Sequence, residues 1–118
     1  MTLDEFESQV ISACAASPMV VSVAVIGSGI TWLRLRAYMI DESFIEAFFN
    51  EATQKLAFAR IKDGNRILGA DNTGGWHWHL MDAPDEHTRT GEAVSFPVFI
   101  QRVEEDLKSR GNNPTGVR

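Results

Sequence analysis

Apolar positions near the start of the chain recur three and four residues apart. Leu3, Phe6, Val10 and Ala13/Cys14 fall on one stripe of a helix over residues 3–16. Thr2 can cap it, with Glu5 at the spacing of a capping box. Pro18 disfavours a helical Ser17 and ends it. From residue 20 to residue 80 the pattern changes to short β-rich runs with turn signals between them, over 20–26, 31–40, 43–49, 55–62, 66–70 and 76–80. Gly27-Ser28-Gly29 and Asn72-Thr73-Gly74-Gly75 read as turns. Asp63-Gly64 is the strongest hairpin signal, because a type I′ turn needs positive φ. Residues 82–93 are polar, contain Pro84 and read as a loop. Ser95 can cap a last helix with Pro97 in its first turn. Phe96, Phe99/Ile100, Val103 and Leu107 form its stripe, and Gly111 stops it.

Connections this short force antiparallel neighbours. One sheet with an apolar face needs a cover, and the two helices are the only candidates. The expected fold is α+β: an N-terminal helix, an antiparallel β-meander of five to six strands, and a C-terminal helix packed on the sheet. A single domain is expected over residues 1–111, with a disordered tail over 112–118. Residues 20–26 carry no charge, and an uncharged open edge invites pairing. That run is therefore expected inside the sheet, or beneath a helix or a second copy of the chain in a homodimer.

Length and composition narrow the classes. The chain has 118 residues, 44% hydrophobic and 23% charged, ordinary values for one globular domain. One cysteine, Cys14, excludes an internal disulfide and fits a reducing compartment. The longest apolar stretch, 20–30, is too short to span a bilayer, and the acids before it do not suit a signal peptide. Net charge is −5. Residues 1–19 and 81–118 carry the excess acid, while residues 20–80 hold six bases and six acids. An overall electrostatic grip on nucleic acid is not supported; a local basic site in the middle of the chain stays open, beside the reading that these bases form a solvated face.

The densest run of unusual residues is RILGADNTGGWHWH, residues 66–79. A hairpin, then Arg66, Gly69, Asp71-Asn72, the pair His77 and His79 and a C-terminal helix resemble the toxin of TumE-type toxin–antitoxin modules over about residues 43–108. The resemblance implies a cytoplasmic toxin that acts on RNA. It also implies a cognate antitoxin protein as partner, often one that carries a helix-turn-helix.

Residues two apart in a strand share a face. His77 and His79 thus project together, opposite Trp76, Trp78 and Leu80. Imidazoles titrate near neutral pH and suit acid–base work. Cleavage of RNA by its own 2′-hydroxyl needs a base, an acid and a cation at the phosphate. The histidines can supply the first two, and Arg66, Arg60 or Lys62 the third. Asp71 and Asn72 are expected to bond within the 72–75 loop and so hold the histidines in place. Trp32, Arg34, Arg36 and Tyr38 alternate on one strand face. They can grip phosphates and stack bases, or pair with Glu46 or Asp41 as a solvated face. The leading function is an RNA-cleaving toxin that needs no metal or other cofactor, with RNA and the antitoxin as partners and no membrane. Two alternatives stay open. One is a non-enzymatic protein-interaction module. The other is a metal-binding protein using His77 and His79 with His87 or Asp71.

Overall fold

The computed structural model describes residues 1–80 and 83–111; the tail expected to be disordered, 112–118, lies outside them. Helix α1 (Leu3–Ala16) starts at the Thr2 cap. The Thr2 hydroxyl accepts from Glu5 N (3.1 Å), and the Glu5 carboxylate accepts from Thr2 N (2.7 Å). The strands follow as β1 (Val20–Ser28), β2 (Trp32–Met39), β3 (Phe44–Asn50), β4 (Lys55–Lys62), β5 (Asn65–Asp71), β6 (His77–Leu80) and β7 (Ala83–Arg89), and helix α2 (Phe96–Gly111) closes the chain. All strands pair antiparallel in chain order in one sheet, β1-β2-β3-β4-β5-β6-β7. The α+β meander with a covering helix at each end is the fold that the apolar pattern predicts.

One face of the sheet carries the core. Leu33, Leu35, Ala37 and Met39 of β2 are buried, as are Ile45, Ala47 and Phe49 of β3. Phe6, Val10 and Cys14 of α1 and Phe96, Phe99 and Val103 of α2 close over them. Trp78 stacks on Phe99 at 5.8 Å, and Phe58 meets Phe96 and Phe99 at 5.7 and 5.5 Å. Ser17 at the end of α1 donates a hydrogen bond to the Glu104 carboxylate and ties the two helices together.

Two expectations are corrected. Residues 82–93 are not all loop, because residues 83–89 form β7 at the edge of the sheet. An edge strand tolerates the proline and the acids that read as a loop, since one side of its backbone needs no sheet partner. Residues 20–26 are not inside the sheet either, although Val20 and Val23 pack against the core on the covered face. They belong to β1, the opposite edge, with β2 as the only sheet neighbour among the described residues. Val21 and Val25 are exposed. In place of charge, β1 carries register shifts at Val20/Ser22 and Val25/Gly27, and such bulges disrupt an edge as a template for pairing.

Candidate functional site

The face of the sheet turned away from the helices is organised by strand register. Arg34, Phe48, Ala57, Asp71, His77 and Arg89 are successive cross-strand partners from β2 to β7 and form one transverse row. Arg36, Glu46, Ala59, Gly69 and His79 form the next row. The small residues fall in the middle of both rows. Ala57 and Ala59 floor a cleft of about 490 Å³ whose lining includes Arg34, Phe48, Lys55, Arg66 and Asp71.

The histidines lie on the predicted side, opposite Trp76, Trp78 and Leu80, which pack against the core. They are not open to solvent: His77 and His79 keep 9% and 7% of their surface. Their neighbours are polar. Asp71 Oδ2 is 2.7 Å from His79 Nε2, and Asp71 Oδ1 is 3.5 Å from His77 Nε2. His77 Nδ1 is 3.0 Å from the Gly75 carbonyl. The two rings stand edge to face, 4.8 Å between centroids. Asp71, on β5, also accepts from Thr73 N (2.9 Å), the local bond expected of it. Burial raises the Asp71 carboxyl, but the Thr73 amide, the His79 hydrogen bond and the charge of both imidazoles together outweigh it and hold the carboxyl below its usual range. Asn72 reaches the other way, accepting from Leu56 N (3.0 Å) and donating to Gln54 O (2.9 Å), which pins the loop to the start of β4.

Arg66 reaches this face through a bulge. Arg60 pairs with Leu68, but Ile61 pairs with Arg66, leaving Ile67 as the extra residue. Strict alternation from Asp71 would send residue 66 to the core, and the bulge turns it to the cleft. Its side chain lies across Gly69, where an added Cβ would be 3.2 Å from Arg66 Cδ.

Arg34 and Arg36 share the face with Trp32 and Tyr38, and both bond the Glu46 carboxylate, at 3.3 and 3.1 Å. Arg34 lies over Phe48 (5.0 Å) and Arg36 over Phe44 (4.0 Å). Trp32 seats on the β1–β2 turn, and a Cβ at Gly29 would come 2.2 Å from its Nε1. Tyr38 packs on Phe44 (6.2 Å). The strip and the histidines are four strands apart, about 19 Å at the usual strand spacing, farther than one phosphate bridges.

Two candidate phosphate ligands are corrected. Arg60 points to the core side and is 1% exposed. Its guanidinium donates to Asp41 (2.7 Å) and Ser43 (3.3 Å). Lys62 reaches the same Asp41 carboxylate at 3.3 Å. Both cations are engaged in a structural ion cluster. Residues the sequence reading missed are Lys55 and Phe48 at the cleft, and Arg89 opposite His77, with its Nη1 3.7 Å from where a Gly75 Cβ would stand. His87 pairs with His79 in backbone register, and its side chain lies outside the described residues.

No protein family, curated protein or solved structure matches the chain. No described helix is long and apolar enough to cross a membrane.

Proposed function

We propose that the chain is the toxin of a toxin–antitoxin module and cleaves RNA on the uncovered face of its sheet. One observation carries this reading. Arg34 lies at one wall of the cleft and Arg66 and Asp71 at the other, with His77 and His79 behind Asp71 on the same sheet face. The resemblance of residues 66–79 to TumE-type toxins supports it, and names the partner as an antitoxin protein.

The division of labour follows from the distances. The strip holds nucleotides beside the reacting one, through guanidinium–phosphate contacts and stacking. The scissile phosphate sits at the other wall. Attack by the 2′-hydroxyl requires removal of its proton, positive charge on the non-bridging oxygens and a proton for the departing 5′ oxygen. The Asp71–His77–His79 cluster serves proton transfer, and Arg66 supplies the charge.

Induced expression in a bacterial host tests this. Wild type should arrest growth and fragment RNA, His77→Ala/His79→Ala should do neither, and Arg34→Ala/Arg36→Ala should weaken both. Normal growth with intact RNA under wild-type expression would refute it. A second reading, a protein-interaction module, is favoured by the exposed apolar Val21 and Val25 on the uncharged edge strand β1. Inert expression together with a stable complex on that edge would establish it.

A further inference from the structure

We propose that Asp71, His77 and His79 form a binding site for one divalent first-row transition-metal ion. One donor atom from each residue lies within 4.8 Å of the others. Ligands about 2.1 Å from a tetrahedral ion stand about 3.4 Å apart, so modest side-chain rotations close the set.

The hydrogen bonds orient the donors for this use. A carbonyl oxygen only accepts, so the contact of His77 with Gly75 O (3.0 Å) puts the proton on Nδ1. Nε2 then faces the Asp71 carboxylate, 3.5 Å away. A histidine that donates one ring N–H to a backbone carbonyl and offers the other nitrogen to an ion is the usual outer-shell arrangement of metal sites. His79 Nε2 faces the same carboxylate at 2.7 Å, a hydrogen bond that an ion would replace. Asp71 itself is fixed by the Thr73 amide. The turn that aims Gly75 O needs positive φ at Gly74 and Gly75, +67° and +105°, values that L side chains rarely adopt.

The donor chemistry selects the ion. Two imidazoles and a carboxylate suit zinc, iron or manganese and do not suit magnesium or calcium, which prefer all-oxygen sets. Three protein ligands leave a position open, as in catalytic rather than structural sites. With an ion bound, the imidazoles would be ligands, and the ion's water would take over the proton transfer otherwise assigned to them. Binding of the ion stands by itself; only its use in RNA cleavage rests on the proposed function.

The test uses the full chain, stripped with chelator and dialysed. Titration with zinc chloride should show one equivalent bound, and cobalt(II) should give the visible absorption of a low-symmetry nitrogen/oxygen site. Asp71→Asn and His79→Gln should each weaken zinc binding at least tenfold and abolish the cobalt bands, with thermal unfolding and circular dichroism confirming folded variants. If a variant does not fold, a zinc-dependent rise in wild-type Tm, lost in His77→Gln, decides instead. No stoichiometric zinc on wild type, or equal binding by the folded variants, would overturn the site. Zinc bound at this site on a protein inert towards RNA keeps the site and removes the ribonuclease reading. RNA cleavage undiminished in chelator, with no zinc bound, does the reverse.

Discussion

Ala57 stands directly opposite Asp71 on neighbouring strands, and the small side chains of Ala57 and Ala59 leave the floor of the cleft open. Filling the floor should block the site without disturbing the core on the other face. Ala59→Leu is expected to shift Tm by no more than a few degrees, since surface-face substitutions change stability by about 0.5 kcal/mol. RNA cleavage and toxicity should fall at least tenfold. Retained activity with a folded protein would place the substrate elsewhere.

Glu46 neutralises both arginines of the strip. Glu46→Gln should release them for phosphate. Affinity for single-stranded RNA should rise, and the slope of log K against log salt should steepen by up to about 1.4, at about 0.7 for each added phosphate contact. Stability should change by less than about 1 kcal/mol, because such half-exposed pairs contribute little. Titration of a fluorescent oligonucleotide at several salt concentrations reads the effect. An unchanged slope would show that the strip does not hold phosphates.

The buried Arg60–Asp41 pair predicts a pH dependence of stability. Burial raises the Asp41 carboxyl, but hydrogen bonds from the Ser43 side chain and backbone and from Arg60, with the charge of Arg60, outweigh it and hold the carboxyl well below the carboxylate range. A depressed folded value means stability that is complete above the unfolded value, about pH 4. It is lost as pH falls from there through the folded value. Asp41→Asn should cost about 3–5 kcal/mol at pH 7 in urea unfolding, because it leaves a buried guanidinium without its counter-charge. It should also flatten the acid limb. Adding Arg60→Met to Asp41→Asn should restore much of the loss.

Burial pushes the Cys14 thiol up to about 11. The native protein should therefore react with a disulfide reagent at pH 8 far more slowly than the urea-unfolded chain, by at least a hundredfold. Immediate native reaction would show that α1 detaches readily from the sheet.

Much of this architecture is legible in the sequence. The stripes of α1 and α2, the capping box at Thr2 and the alternation in β2, β3 and β6 carry it. The same alternation puts Arg60 in phase with Leu56 and Phe58, so its core position is readable once period outweighs charge. Pro84 and the surrounding acids hid β7, and with it the place of Arg89 opposite His77. The position of Arg66 depends on a bulge, which no local pattern specifies. The meeting of Asp71 with His77 and His79 depends on the β5–β6 register. Sequence proximity suggested that cluster but did not fix which carboxylate oxygen faces which ring.

The strict neighbour order of the meander has a consequence for synthesis on the ribosome. Each strand finds its partner in the segment just made, so the sheet can grow hairpin by hairpin with only short loops to close. The cover over β4 and β6 arrives last, because Phe96 and Phe99, which pack on Phe58 and Trp78, belong to the final helix. Until residues 96–111 emerge, a nascent chain with a finished cleft face exposes bare aromatic rings on its underside. That interval is when the chain is most exposed to aggregation and capture by chaperones.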